Sequence, residues 1–95
     1  MKAYSPSYSI TARLRYADFP GALGSITSTI GKMNGQIGAV DIVDVRQDTI
    51  TRDITISAGD VDHGQRIVEA LKQLDGVEVL KTSDRSTKTR TRPST

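Results

Sequence analysis

Residues 8–16 alternate without a break. Tyr8, Ile10, Ala12, Leu14 and Tyr16 fall on one side, and Ser9, Thr11, Arg13 and Arg15 on the other. A period of two predicts a strand with one buried and one wet face. Such a strand must lay its apolar side on a second layer, and the rest of the chain has to supply it.

The next segment supplies part of that layer. Leu23, Ile26, Ile30 and Met33 recur at helical spacing over residues 20–34, and Asn34-Gly35 ends the helix. Ile37 to Arg46 is β-branched and predicts a second strand. Its alternation slips near Ile42-Val43, so either both faces carry apolar groups or the strand has a bulge. Gln47-Asp48 is a turn into a third strand, Thr49 to Ser57. Ile50, Ile54 and Ile56 share one of its faces; Thr51, Asp53, Thr55 and Ser57 share the other. After the loop Ala58-Gly59-Asp60, Asp60 or Asp62 caps a second helix. There Ile67, Ala70, Leu71 and Leu74 share a face with His63. Asp75-Gly76 stops it, and Val77 to Lys81 is the last strand. The order βαββαβ with right-handed crossovers predicts an α+β, ferredoxin-like sandwich. Its four-stranded antiparallel sheet runs in the order 4-1-3-2, with both helices on one face. Many functions share this fold, so it decides none of them.

Ninety-five residues make one domain with a small core that association would help. The segments are an N-terminal extension (1–7), the folded domain (8–83) and a basic tail (84–95). No run of about 18 apolar residues exists for a membrane span. Met1 to Ile10 has no secretory pattern. A cytoplasmic location is the default, and the absence of cysteine excludes disulfide and thiol chemistry. The net charge of +2 is a tail property. Residues 1–83 hold 9 Lys/Arg against 10 Asp/Glu, whereas residues 84–95 hold 4 against 1. From Ser83 onward no apolar residue occurs, which predicts a disordered segment or a non-native remnant.

Catalytic chemistry finds no footing. His63 is the single histidine, without a partner at metal-ligand spacing. No serine sits in a nucleophile elbow, and no dinucleotide or phosphate loop is present. Gly21-x-x-Gly24 reads as packing at a helix start. Asp41 and Asp44, three apart on a strand, fall on opposite faces unless a bulge intervenes. No catalytic residue, metal site or cofactor is expected. RNA binding through the sheet is disfavoured too. The open face offers Thr11, Arg13, Thr51, Asp53 and Thr55, with no aromatic platform for a base, and Arg13 and Asp53 read as a cross-strand pair.

Two features point to ligands and partners. The first is the turn Asp18-Phe19-Pro20-Gly21-Ala22-Leu23. Pro20 fits the first helical turn, Gly21 admits a close approach, and Asp18 either caps the helix or meets a ligand cation. A helix start is a receptor for a small carboxylate. The second is the second strand, an edge in this topology. It is strongly apolar at Ile37, Val40, Ile42, Val43 and Val45, which invites pairing with a second copy. The alternative is that the bulge and the neighbouring helix cover it.

With its strand order, its 18–23 turn and its apolar second strand, the chain resembles the ACT domain family over about residues 8–83. Tyr8-Ser-Ile-Thr-Ala-Arg-Leu-Arg, Gly38-Ala-Val-Asp-Ile-Val, Thr51-Arg-Asp-Ile-Thr-Ile and Ser83-Asp-Arg85 narrow this to the N-terminal ACT module of bacterial NAD-dependent malic enzymes. None of that family's catalytic parts for malate, NAD or a divalent metal is present, so the resemblance implies an isolated regulatory piece, natural or excised. It implies dimerisation and sensing of a small effector, often an amino acid. The amides of Gly21, Ala22 and Leu23 would hold its carboxylate and Asp18 its ammonium. Ile37, Gly38, Ala39, Val40 and Asp41 of a second copy would close the pocket. Val40, Ile42, Val43 and Val45 would form the interface. The alternatives are a ligand-free dimerisation module and a stand-alone amino-acid sensor unrelated to malate.

Overall fold

The computed structural model describes residues 8–86. The elements are β1 (Tyr8–Ala17), α1 (Ala22–Lys32), β2 (Gln36–Val45), β3 (Thr49–Ala58), α2 (Val61–Lys72) and β4 (Val77–Ser86). All strand pairs are antiparallel and the sheet order is β2-β3-β1-β4, the predicted 4-1-3-2 arrangement. No helix is long and apolar enough to cross a membrane.

The alternation of β1 becomes the core. Tyr8, Ile10, Ala12, Leu14 and Tyr16 are all buried, facing Ile50, Ile54, Ile56 and Ala58 of β3 along the same side. Ala22, Ile26 and Ile30 of α1 and Ile67, Val68 and Leu71 of α2 close over them. Both tyrosines in this row bring their hydroxyls to a hydrogen-bond partner at the core margin. Tyr8 donates to Asp84 at 2.7 Å, and Tyr16 accepts from Arg52 at 2.8 Å. Burial, and then the bond to Asp84, pushes the Tyr8 pKa up.

The helix ends follow from local chemistry. At the end of α1, Gly35 N–H bonds to Ile30 C=O and Asn34 N–H to Gly31 C=O, a Schellman closure with Asn34 at φ 65°. Asp60, of the two candidate caps, is the N-cap of α2; its carboxylate accepts from His63 N–H at 2.8 Å. The His63 ring then joins the two helices. Nδ1 accepts from Gly59 N–H at 3.0 Å and Nε2 meets the Met33 carbonyl at 2.6 Å. An amide can only donate and a carbonyl only accept, so the bonded tautomer carries its proton on Nε2.

Two sequence expectations change. β4 runs to Ser86, well past Lys81, because its polar second half is held by backbone pairing to Tyr8–Arg13 and not by side-chain burial. Residues 84–86, assigned by composition to the tail, are therefore strand, and the remainder of that tail lies outside the described residues. β2 carries two irregularities, not one. Register shifts fall between Ile37 and Val40 and between Ile42 and Asp44. Asp41 lies opposite Asp53 and, across the second shift, Asp44 lies opposite Thr51, so both acids share the open face.

Glycine at position 64 was not singled out by sequence pattern, yet the packing requires it. A Cβ there would lie 2.6 Å from the Tyr8 ring, whereas one on Gly31 would meet nothing within 4 Å. Gly64→Ala should therefore lose about 1–3 kcal/mol through overpacking. Gly31→Ala should gain about 0.5–1 kcal/mol from helix propensity. Urea unfolding of the two variants checks the contrast; equal effects would mean the Tyr8 contact does not decide.

Candidate functional site

The turn after β1 differs from its sequence reading in detail. Helix α1 starts at Ala22, so Pro20 precedes it and is not in its first turn. Ala22 N–H donates to Phe19 C=O at 3.1 Å, and Gly21 has φ 89° and ψ −12°. Proline then glycine in this geometry is a type II turn, in which the third residue needs positive φ. That need explains Gly21. No close approach does, since a Cβ there would meet nothing within 4 Å, and the same holds for Gly24. The expectation of tight packing at Gly21-x-x-Gly24 is thus corrected, and any side chain at 21 would strain the turn whether or not a ligand binds.

The proposed receptor groups also shift. No side chain caps α1, so Asp18 is not its cap; Asp18 N–H instead ties the turn to Asp48 C=O at 3.2 Å. The Ala22 amide is engaged inside the turn, which leaves Leu23 and Gly24 as first-turn donors without helical acceptors. Phe19 stands 59% exposed beside them. On the other side of the turn lies a pocket of about 170 Å³, walled by Tyr16, Phe19, Ala22 and Ser25 against Leu74 to Val77. Sequence reasoning missed it, because its second wall comes from the α2–β4 turn more than fifty residues away. A more open groove of about 380 Å³ runs along the outer side of α2 beside Met33.

The two halves of the sequence-predicted site do not meet within one chain. Ile37 is level with Ile56, and Ile56 with Ile10, whereas the turn leaves β1 after Ala17. Seven residues of strand separate them, about 23 Å at 3.3 Å per residue. Ile37, Gly38, Ala39 and Asp41 are exposed, and Val40 packs partly against the core. Farther along β2, Ile42 is 57% exposed, Val43 42% and Val45 59%. The neighbouring helix does not cover this edge.

The open face carries a row of charges across all four strands: Asp41, Asp53, Arg13 and Lys81. Arg13 binds Asp53 through Nε at 2.8 Å and Nη2 at 3.0 Å, the expected pair. Its guanidinium holds the Asp53 carboxyl below its ordinary 3.8, against the opposing effect of partial burial. No aromatic side chain stands on this face among the described residues, so it offers no base-stacking platform. Nor do the described residues contain a cluster of three or more potential metal ligands.

A ferredoxin-like sheet, a Pro-Gly turn into α1 and an exposed apolar β2 edge are the features that the family comparison has to account for. The ACT domain model matches residues 5–81, and the chain belongs to that family. It is 36% identical over 77 residues to an NAD-dependent malic enzyme of Geobacillus stearothermophilus, which covers 81% of this chain but 16% of the enzyme. Its fold superposes on the ACT domain of a GTP pyrophosphokinase from Chlorobium tepidum with a TM-score of 0.64 at 17% identity, covering 85% of this chain and all of that one. A homoserine dehydrogenase from Thiobacillus denitrificans matches with a TM-score of 0.60 at 19% identity, over 86% of this chain and 17% of that one.

The depressed Asp53 pKa sets a pH dependence. The carboxylate's contribution is complete above its ordinary value and is lost as pH falls through its lower folded value. The stability gap between wild type and Asp53→Asn should therefore shrink between about pH 6 and about pH 2.5. Urea titrations at both pH values measure it; an unchanged gap would show that the pair does not titrate with folding.

Proposed function

We infer that this chain is a cytoplasmic, non-catalytic ACT regulatory module that pairs with a second copy through β2. It senses a small carboxylate effector, an amino acid, near the Asp18–Leu23 turn. The malic-enzyme relative supports a further step, that the module regulates the catalytic domains of an NAD-dependent malic enzyme. The observation that carries the pairing is the uncovered apolar edge of β2, with Ile42 and Val45 more than half exposed. An edge of this kind is a template for strand addition. Antiparallel pairing about a twofold near the middle of β2 would set residues 37–41 of one copy beside the 42–45 end of the other. That end adjoins the β1–α1 turn, so the split site would be completed only in the dimer. Effector binding would then favour one quaternary arrangement over another, which is what sensing requires.

Sedimentation velocity tests the pairing. The wild type should dimerise with rising concentration, and Val43→Lys or Ile42→Lys should sediment as a monomer. A wild type that remains monomeric throughout would remove the edge-pairing reading. A melting screen with the twenty amino acids and central-metabolite acids tests sensing. A ligand that raises Tm in the wild type and does so less in Asp18→Ala supports it; no response to any compound leaves a structural dimerisation module.

A further inference from the structure

The helix-side face of the sheet holds one cation within its described strands. Arg52 lies in register between Leu14 of β1 and Ile42 of β2, on the side that otherwise forms the core. Five arginine side chains are described. Arg13, Arg15, Arg46 and Arg66 each pair with a carboxylate, and Arg52 does not. Its one hydrogen-bond partner among the described residues is the Tyr16 hydroxyl, which accepts from Nε at 2.8 Å. Both Nη groups therefore keep their N–H donors, the outer fork that binds a carboxylate bidentately.

Tyr16 adds to this donor set. The residue is 4% exposed, and its oxygen accepts from Arg52. Its own proton has no acceptor among the described residues. A half-buried guanidinium that meets no carboxylate among the described residues, beside a buried hydroxyl free to donate its proton, is a pair of donors suited to an anion. The flanking surface is apolar: Ile42 stands next to Arg52 across the strands, and Val45 lies farther along the same edge. The donors sit at the end of the sheet where β1 enters the Asp18–Leu23 turn, and the Ala22 amide in that turn is already engaged.

We propose that Arg52, oriented by Tyr16, receives the carboxylate of the effector, and that the effector is an aliphatic carboxylic acid whose chain lies against Ile42 and Val45. This rests on the sensing role inferred above and changes its chemistry. The carboxylate goes to a side-chain fork and not to the turn amides, and an ammonium group on the ligand is not required.

The test uses the full 95-residue chain, labelled with ¹⁵N, and follows the Arg52 Nε–Hε resonance. The probes are 4-methylpentanoate, 4-methyl-2-oxopentanoate, L-leucine and leucinamide, each titrated to about 10 mM so that weak, millimolar binding is seen. The three carboxylates should shift the Arg52 signal, and leucinamide should not. Arg52→Gln should weaken the carboxylates by about 10- to 100-fold, the range for a charge-assisted bond. Arg52→Lys should fall between, since it keeps the charge and loses the fork. Tyr16→Phe keeps the buried ring and should weaken binding several-fold. The wild-type resonance reads the contact directly even if a variant folds poorly. Carboxylates that bind Arg52→Gln as well as wild type, or leucinamide that binds as well as leucine, would overturn the assignment while leaving sensing intact. Absence of any shift with every carboxylate would overturn it too, and the melting screen would still decide sensing by itself. If Arg52→Gln instead dissociates the dimer in the absence of any probe, the anion is a carboxylate of the second copy and the ligand assignment falls.

Discussion

β1 is hydrogen-bonded on both sides, to β3 over its whole length and to β4 through Tyr16, and it buries one complete face. Every other element is positioned against it. The two tyrosines at its ends mark the limits of the core, and each is anchored by a charged residue from a different flanking strand. A strand held this way cannot slip by one residue without turning Ile10, Ala12 and Leu14 into solvent. The register of β3 and β4 is fixed by the same fact. So is the need for glycine at position 64, where α2 crosses the Tyr8 ring.

The turn that leaves β1 shows how one motif can be recognised for a reason that the structure revises. Proline and glycine at positions 20 and 21 suggest a helix start open to a ligand. Their structural task is a type II turn, satisfied by Phe19 C=O and the positive φ of Gly21. The turn still delivers α1 with uncapped first-turn amides, but it does so as a rigid corner. Candidate binding groups then have to be sought around that corner: Arg52 with the Tyr16 hydroxyl, and the pocket that Tyr16 shares with the Leu74–Val77 wall.

The two faces and two edges of the sheet have separate roles. The open face is a ladder of polar and charged pairs, of which Arg13–Asp53 is the most buried ion pair. It therefore lacks the apolar area that face-to-face association would use. The β4 edge is polar in its second half. The β2 edge is the one that remains apolar and uncovered, and two register shifts bend it. In the proposed reading, association at that edge and ligand capture near the turn would be coupled by position, since Arg52 lies beside Ile42 in register. That proximity is what would let a small module report a ligand through its quaternary state.

Period-two and period-3.6 patterning alone determined the element order, the core residues of β1 and β3, and the Asn34-Gly35 stop. These depend on local geometry that each residue carries with it. The Arg13–Asp53 pair was legible as well, because alternation placed both on one face. The end of β4 was not, since pairing to a neighbour holds a polar strand that no burial signal marks. Arg52 was passed over for a related reason: alternation puts it on the apolar face, but only the fold shows that it meets a tyrosine hydroxyl and no carboxylate. The distance between the Asp18–Leu23 turn and Ile37–Asp41 likewise emerged only from strand order. Sequence fixes which side a residue faces; what it meets there depends on contacts between segments far apart in the chain, and those exist only after folding.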